Sequence, residues 1–556
     1  MVPGIPRRTG SEPGRAGGDP AWPLPDCAEF RGDCFHRHQP LDHFGGLSHC
    51  RGRACGGEIV NNAKTLQDRF QPLFDPKGIV IAGASSHPGK FGFVAAHNVL
   101  SEGYQGKVFF MNREGSEVLG RQALSSLEDL PENEADLVFI CTPPRTIPDM
   151  LRISARKGIR AAFIAAAGFG ELGEEGKALE EELARLANEL GILVAGPNGQ
   201  GVISTPSDLC AQIIAPYPPR GHIGLASQSG GFIQSLQNYA HKTGVGVSRA
   251  ISAGNCAHTG LEAFLEYFGV DDETRVGLTY VEGIEDGRQF FEKARGMTEQ
   301  KPLVVLKGGA TSGGQRAAAS HTGALASDDR VFDGMCRQAG ITRTHSLEEA
   351  FEAAASFATH PLPRGPNVFV LTTAGGWGVV TADRLTQSRD LELMPIPEDL
   401  RAAFDERLPP RWSRNNPADL AGSETRDTVA ECMRLAAGHP AVDAIIFLGA
   451  GIQSNLGLME KNGRFYPEFG LERIVDFHFR QDARYAKLAV DCEKEFGKPI
   501  LMATELVDCQ PENQAPAGMI ERGVLAYPSS WRAVTALEHL YQYAHWRKRR
   551  ELPALQ

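Results

Sequence analysis

The sequence contains no apolar run that approaches the roughly 20 residues needed to span a membrane. Its first residues also lack the apolar core of a secretory signal peptide. Hydrophobic residues make up 42% of the 556 residues and charged residues 22%, with 62 glycines, a composition typical of α/β proteins. These features predict a cytoplasmic protein that does not bind membranes, and the length predicts several domains.

Positive charge is also scarce. The chain has 57 Lys and Arg residues against 68 Asp and Glu residues, which gives a formal net charge of −11 at pH 7. Proteins that bind nucleic acids usually present a basic face to the phosphates. Because no segment of this chain resembles such a face, we predict that nucleic acid is not a partner.

The cysteines lack the paired spacing of zinc sites. Seven of the 11 are scattered singly, as reduced core thiols usually are. The other four, Cys27, Cys34, Cys50 and Cys55, lie among histidines in a segment rich in Gly, Pro and Arg. A zinc site can be drawn from this set, but no CxxC pair or hydrophobic periodicity supports it. We therefore predict no metal site and a disordered leader over residues 1–64.

From residue 78 onward, short apolar runs alternate with helical patterns. In the first series the runs lie at 78–85, 107–112, 135–144, 160–170 and 191–201, and helices are expected near 93–100, 123–130, 145–157 and 174–190. Such alternation predicts βαβ units and a parallel sheet. Ligands of such sheets bind at the carboxyl ends of the strands, where the loops of this series fall.

Two more series of the same kind follow. The second has runs at 222–231, 244–255, 275–284 and 301–309, and the third, after a proline-rich break at 360–366, has runs at 367–379, 441–450 and 498–505. The sequence therefore predicts an α/β protein with three successive domains. Their expected bounds are 65–200, 201–362 and 363–548, followed by a tail at 549–556.

The turn after the first strand, "GASSHPGK" (83–90), resembles a dinucleotide-binding fingerprint only loosely. The acidic residue expected about 20 residues further on is replaced by Met111, Asn112 and Arg113. This argues against NAD and hence against an oxidoreductase. Lys90 and Arg113 suit a ligand with an additional phosphate, such as coenzyme A (CoA). A tight strand-to-helix turn without a ligand explains the loop equally well.

The segment "LASQSGG" (225–231) combines a strand end, two serines and two glycines before a helical pattern. A helix that begins there exposes backbone N–H groups, and these attract an anion together with the helix dipole. Simple capping needs only one serine. We therefore favour an anion site.

His321 lies in "GGQRAAASHTGALASDD" (313–329), where small residues surround a single imidazole. Such neighbours suit either a tight packing corner or a close approach to a phosphate, and the glycines predict a mobile loop. Glu282 ends a strand of the same domain and can accept a hydrogen bond from one imidazole nitrogen, leaving the other nucleophilic. Together these features suggest a phosphohistidine site.

Many segments, in order, resemble one known family. They are "GASSHPGKFG", "CTPP", "AAGFGELGEEGKALEEEL", "GPNGQGV", "SQSGG", "AGN", "YVEGIEDGR", "KGGATSGGQRAAASHTGALA", "TTAGGWGV" and "NPADL". The set, spread over about residues 65–545, resembles the NDP-forming acyl-CoA synthetases. These include the alpha subunit of ADP-forming acetyl-CoA synthetase and, more distantly, that of succinyl-CoA synthetase.

The resemblance implies a Rossmann-like CoA-binding domain followed by two flavodoxin-like doubly wound parallel-sheet domains. It places CoA at Gly83, Ala84, Ser85, Gly89, Lys90, Arg113, Cys141, Thr142, Pro143, Pro144, Ala167, Gly168 and Phe169. It implies phosphate or substrate contacts at Asn198, Ser227, Gln228, Ser229, Gly230, Gly231 and Asn255, and catalysis by His321 with support from Glu282. A carboxylic acid or acyl-CoA is the implied substrate.

The family also requires an ATP-grasp domain, which receives the phosphoryl group and binds ATP or ADP with Mg²⁺. Residues 367–545 read instead as the third α/β domain. We therefore expect an alpha-type subunit that forms a hetero-oligomer with a separate ATP-grasp beta-type subunit. The alternative is a CoA-binding regulatory protein that has lost ligase turnover.

Two departures from the family pattern affect the substrate. Gly199 and Gln200 stand where relatives commonly carry Cys-Leu or Cys-Pro, and the acidic residues that usually follow Asn255 are missing. Both lie in loops expected to line the acyl or phosphate region. The substrate therefore need not be acetate.

Overall fold

The computed structural model describes residues 55–322, 328–420, 427–505 and 510–555, with side chains except those of 55–64 and 318–322. Residues 1–54 of the predicted leader, with Cys27, Cys34 and Cys50, lie outside the described residues. Helix α1 (Cys55–Phe74) begins within the predicted leader, ahead of the expected domain start at residue 65.

The first domain contains a five-stranded parallel sheet with strand order β2-β1-β3-β4-β5. Strands β1, β3, β4 and β5 are fully buried, which explains their continuous apolar runs. The predicted helix near 123–130 is only a short 3-10 turn, Leu127–Asp129. The elements are β1 (Gly78–Ala82), α2 (Phe91–Ser101), β2 (Lys107–Met111), β3 (Leu137–Ile140), α3 (Ile147–Arg156), β4 (Ala161–Ile164), α4 (Glu174–Leu190) and β5 (Leu193–Ala195).

The second domain has a seven-stranded sheet with strand order β12-β11-β10-β8-β9-β6-β7. At one edge β6 pairs antiparallel with both β7 and β9, a feature that the sequence did not predict. The pairs formed among β8 to β12 are parallel. The elements are β6 (Gly201–Ser204), β7 (Leu209–Gln212), β8 (Arg220–Ser227), α5 (Gly230–Thr243), β9 (Val247–Ser252), α6 (Leu261–Val270), β10 (Val276–Val281), α7 (Gly287–Gln300), β11 (Leu303–Lys307), α8 (Ser312–Thr322), α9 (Asp329–Ala339), β12 (Thr342–Thr344) and α10 (Leu347–Thr359).

The third domain has a parallel sheet with strand order β14-β13-β16-β17, and β15 also pairs with β13. Its long terminal helix α17 packs against α10 of the second domain. The elements are β13 (Asn367–Thr372), α11 (Gly375–Gln387), β14 (Glu392–Leu393), α12 (Glu398–Asp405), β15 (Ala418–Asp419), α13 (Thr428–Gly438), β16 (Ala444–Leu448), α14 (Ile452–Lys461), α15 (Leu471–Phe496), β17 (Ile500–Ala503), α16 (Gln514–Ile520) and α17 (Ser530–Arg549).

Aromatic and charged contacts join the first domain to the second. Phe70 and Phe74 of α1 stack on Tyr267 of α6, with ring centroids 4.8 and 5.1 Å apart. Arg249 of β9 is buried and pairs with Asp75 at 2.7 Å and with Asp271 at 3.3 Å. A buried guanidinium needs such partners, since an unpaired buried charge is costly. These contacts position the loops of the two domains relative to one another.

One apolar core continues from the second domain into the third. Phe351 of α10, Val370 of β13 and Leu537 of α17 belong to the same buried cluster. The Oγ of Ser356 lies 2.6 Å from the buried Oη of Tyr527, which adds a polar link across this core. None of the described helices combines the length and the apolar character needed to cross a lipid bilayer.

Candidate functional site

Three loops meet at one edge of the first sheet. They follow β1, β3 and β4, which are neighbours in the sheet and run parallel, so their carboxyl ends share that edge. The loops contain the residues predicted to bind CoA at 83–90, 141–144 and 167–169. The structure therefore brings together three segments that are far apart in the sequence, where doubly wound folds bind their ligands.

The loop after β1 turns sharply at Gly83, whose φ is +88°. The backbone N–H groups of Gly83 and Ala84 both donate to the Met111 carbonyl, at 2.9 and 3.0 Å, which ties this loop to the end of β2. A Cβ on Gly92 would lie 2.0 Å from the Gly83 carbonyl oxygen. Both glycines are therefore required, one by its φ and the other by the close approach of α2.

Two cations accompany this turn. Lys90 directly precedes α2, Arg113 follows β2, and both side chains are exposed. Neither has an ion-pair partner among the described residues. Between them, Ser85 Oγ accepts from His87 N and His87 Nδ1 accepts from Gly89 N, each at 3.0 Å. These two hydrogen bonds order the turn and leave the two cations available for phosphate groups.

The second and third loops touch one another. A Cβ on Gly168 would lie 3.1 Å from Pro144 Cγ, and Thr142 Oγ1 accepts from Thr146 Oγ1 at 2.8 Å. Burial raises the pKa of Cys141 to about 12, so this residue is a thiol at neutral pH and a poor nucleophile.

A cavity of about 530 Å³ opens beside these loops, lined by Pro143, Pro144, Arg145, Ile147, Pro148, Phe169, Leu179, Glu182, Leu183 and Leu186.

A glycine turn, two unpaired cations and a mainly apolar cavity fit the parts of CoA. Its phosphates need cations and backbone donors, and its pantetheine arm needs an apolar surface. No group of three or more His, Cys, Asp or Glu side chains suited to a metal ion occurs within the described ranges.

Two glutamates that the sequence analysis missed fix the third loop. Glu171 Oε1 accepts from the N–H groups of Gly168 and Phe169, and Glu180 Oε1 accepts from Gly170 N at 3.0 Å. Asn255 of the second domain donates to both carboxylates. The signal was a glutamate close behind a glycine-rich turn, but its partner Asn255 is remote in sequence.

Helix α5 begins at Gly230 without a side-chain cap. Ser229 occupies the cap position but makes no capping bond, and Ser227 Oγ is used within the loop, donating to the Ser229 carbonyl at 2.7 Å. The first-turn amides of a helix have no intrahelical partner. The serine side chains do not satisfy these amides, so the N–H groups of Gly230 and Gly231 could donate to an anion.

Gln228 connects this helix start to Glu282. Gln228 Oε1 accepts from the backbone N–H groups of Glu282 and Gly283, at 2.6 and 3.1 Å. Glu282 is 9% exposed, and its carboxylate accepts a hydrogen bond from the hydroxyl of Tyr280. Burial and, next, the Glu282 charge raise the pKa of Tyr280 to about 12. Gln228 therefore fixes the backbone of Glu282 next to the start of α5. Glu282, the residue predicted to support His321, thus lies beside the predicted anion site.

His321 lies near the end of α8, and its side chain is outside the described part of the chain. The segment predicted as a mobile loop is helical up to Thr322. Alanine at 317–319 favours a helix, and Thr311 stabilises its start because Thr311 Oγ1 accepts from Gly314 N at 3.1 Å. Upstream of α8, Gly308 N donates to the Val281 carbonyl at 2.8 Å, next to Glu282. Helix α8 also contacts the 3-10 helix Gly170–Leu172.

The unusual residues Gly199 and Gln200 both lie close to this site. A Cβ at Gly199 would fall 2.3 Å from the Ser252 carbonyl oxygen and 2.7 Å from the Phe163 ring, so a larger residue does not fit this backbone. The amide of Gln200 packs against Gly230, at the start of α5. The departure at Gln200 thus borders the predicted anion site. Asn198, whose φ is +60°, donates to Asn255 Oδ1 at 3.2 Å.

The first domain has a glycine turn with two exposed cations and a mainly apolar cavity, and the second has a helix start without a side-chain cap. These features suit an enzyme that handles an acyl thioester and phosphate. Comparison with known families agrees. Residues 77–205 match the CoA binding domain, 220–357 the succinyl-CoA ligase like flavodoxin domain, and 368–452 the ligase-CoA domain.

Individual relatives point the same way. The chain is 33% identical over 484 residues to the alpha subunit of acetate–CoA ligase [ADP-forming] I from Pyrococcus furiosus, covering 86% of this chain and 98% of the relative. It resembles the solved structure of dinucleotide-forming acetyl-coenzyme A synthetase 1 from Ca. Korarchaeum cryptofilum, in complex with phosphate and ADP. That match has a TM-score of 0.75 and 30% identity and covers 87% of this chain and 99% of the other. The chain belongs to the NDP-forming acyl-CoA synthetases, as an alpha-type subunit of an acid–thiol ligase.

Some relatives are longer. The chain is 34% identical to acetate–CoA ligase [ADP-forming] I from Archaeoglobus fulgidus, but the match covers 68% of this chain and only 54% of that relative. Nearly half of that relative thus has no counterpart in the aligned part of this chain.

Proposed function

We propose that this chain joins a carboxylic acid reversibly to CoA through an acyl phosphate and a phosphohistidine at His321. ATP or ADP with Mg²⁺ binds on a separate ATP-grasp beta-type subunit. The observation that carries the proposal is the position of α8. It begins next to the strand end that bears Glu282 and contacts the turn Gly170–Leu172 beside the CoA loop. A histidine on this helix can therefore serve both sites.

In the direction of acid release, phosphate attacks the carbonyl carbon of the acyl-CoA and the CoA thiolate leaves. An imidazole nitrogen of His321 then attacks the phosphorus of the acyl phosphate, and the carboxylate leaves. ADP finally takes the phosphoryl group from the histidine to give ATP. In each step the protein positions the groups and stabilises charge.

The described residues support particular roles in these steps. The amides of Gly230 and Gly231 hold phosphate oxygens at the start of α5. The Glu282 carboxylate, held in place by Gln228 and Tyr280, accepts the N–H of the imidazole and stabilises the cation that forms. Lys90 and Arg113 bind the phosphates of CoA.

Labelling with ³²P-acetyl phosphate tests this proposal on the purified chain without its partner. We expect one acid-labile, base-stable phosphoryl group, which is the stability of a phosphohistidine, and its loss in His321→Asn. His345→Asn, which removes an exposed histidine of the same domain, is the matched control and should label normally. Labelling that persists in His321→Asn would refute the assignment.

A further inference from the structure

Both N–H groups of the Asn255 side chain donate to protein carboxylates. Its Nδ2 donates to Glu171 Oε2 at 2.7 Å and to Glu180 Oε1 at 2.6 Å, and its Oδ1 accepts from Asn198 Nδ2 at 3.2 Å. An amide has two N–H donors and one carbonyl acceptor, so no N–H remains for a ligand. Asn255, which the resemblance implies as a phosphate or substrate contact, thus uses both of its N–H groups in contacts within the protein.

The two carboxylates that it joins hold the third CoA loop from behind. Glu171 accepts from the N–H groups of Gly168 and Phe169, and Glu180 accepts from that of Gly170. The loop is also tight, because a Cβ on Gly176 would lie 1.8 Å from the Phe169 carbonyl oxygen. Three consecutive backbone amides are thus fixed by two side chains that need a common donor.

The side-chain N–H groups of Asn255 favour the charged forms of Glu171 and Glu180. Burial raises the pKa of Glu180, and the nearby Glu171 and Glu285 charges add to this effect. Burial also acts to raise the pKa of Glu171, but hydrogen bonds from Gly168 and Asn255 outweigh it, and the net pKa is lowered. Two neighbouring carboxylates repel each other, and an N–H group between them offsets the repulsion.

We infer that Asn255 is a positioning residue that reaches from the second domain, through Glu171 and Glu180, to fix the CoA-binding loop of the first. Because α8 contacts the same Gly170–Leu172 turn, the network links the CoA loop to the helix that carries His321. This inference rests on the proposed function for its consequence in catalysis, whereas the loop-ordering itself does not depend on it.

The test replaces the shared donor without changing its shape. Asn255→Asp has the same size but places a third carboxylate between Glu171 and Glu180. We expect CoA binding to the full chain, measured by calorimetry, to weaken about tenfold or more, as expected when a charge-assisted hydrogen bond is lost. Amide hydrogen exchange at residues 168–170 should accelerate. Asn188→Asp, which adds the same charge at an exposed position on α4, is the control and should change neither.

A second variant distinguishes positioning from direct contact with a ligand. In the double variant N255D/E180Q the introduced amide can donate to the introduced carboxylate, while Glu171 still lacks its donor, so CoA affinity and slow exchange should return in part. A ligand contact would not be rescued in this way. Unchanged exchange in Asn255→Asp, or no recovery in N255D/E180Q, would overturn the inference. If the wild-type chain does not bind CoA, the proposed function fails, and the exchange data alone decide the positioning role.

Discussion

At the scale of single residues, the backbone of Gly83 has a near match elsewhere in the same domain. Gly83 has φ +88° and lies against Thr142, with a Cβ position 3.0 Å from Thr142 Cγ2. Gly103 has φ +90° with no atom within 4 Å of its Cβ position. An alanine at either position must adopt a left-handed conformation. Only the alanine at position 83 would also press on Thr142, in the second loop proposed to bind CoA.

We therefore predict a loss of stability at both positions but a loss of CoA binding at only one of them. Gly103→Ala should lower the free energy of unfolding by about 1–2 kcal/mol, as measured by urea denaturation, and Gly83→Ala should lower it by at least as much because its Cβ also presses on Thr142. Only Gly83→Ala should weaken CoA binding, by about tenfold or more, because it shifts a loop that must lie close to the ligand. Equal CoA affinities in the two variants would show that the 83–90 loop does not form the CoA site.

At the scale of elements, the first turn of α5 has two glycines in different surroundings. A Cβ on Gly230 would lie 2.0 Å from Gln200 Nε2 and 2.6 Å from its Cγ, whereas one on Gly231 would be no closer than 3.9 Å to Ser229 Oγ. Gly230 therefore lies against the side chain of Gln200, the residue before β6, and a Cβ there would displace it. Gly231 has room for a side chain.

The prediction follows from this difference. Gly230→Ala should destabilise the protein by about 1–3 kcal/mol, the usual cost of overpacking, while Gly231→Ala should be neutral or slightly stabilising because alanine favours a helix. In a Gln200→Ala background the cost of Gly230→Ala should fall sharply. Urea denaturation of the four variants forms a double-mutant cycle, and strict additivity would contradict the packing argument.

At the scale of the whole molecule, contacts between the domains position the site. The stacking of α1 on α6 and the Arg249 ion pairs hold the first sheet against the second, and Asn255 reaches across that contact to the CoA loop. The third domain is joined to the second through a common core. The loops that the proposed reaction needs therefore belong to a rigidly packed arrangement of two domains.

A prediction about assembly belongs to this scale. The purified chain should bind CoA, but by itself it should not form acyl-CoA from CoA, ATP and any carboxylic acid of a panel that includes acetate. Adding an ATP-grasp subunit should restore ligation, since nucleotide binding is assigned to that partner. The restored rate should vanish when this chain carries His321→Asn. Ligation by the chain alone, with no ATP-grasp protein detectable by mass spectrometry, would contradict the prediction.

The order of strands and helices was predictable because buried parallel strands are short apolar runs, and this information is local. The strands β1, β3, β4 and β10 lie within predicted runs, β8 begins two residues before its run, and the loops after these strands contain most of the residues predicted to bind CoA or an anion. The antiparallel pair β6 and β7 was not predicted, since each strand has only four residues, too few to show a distinct pattern. Helix α8 was predicted as a mobile loop because Gly313, Gly314 and Gly323 favour one, but the three alanines at 317–319 favour the helix that the structure has.

The sequence by itself determined the family, the three-domain order and the residues that can carry the chemistry, because these depend on residue types in a fixed order. Only the tertiary structure decided which of them act together. Asn255 and Glu171 are 84 positions apart in the sequence, too far for a local pattern to relate them. Their side chains nevertheless form a hydrogen bond of 2.7 Å. This contact forms because the packing of two domains brings the loop after β9 against the loop after β4. The hydrogen bonds from Asn255 to two neighbouring carboxylates stabilise it, since they offset the repulsion between the carboxylates.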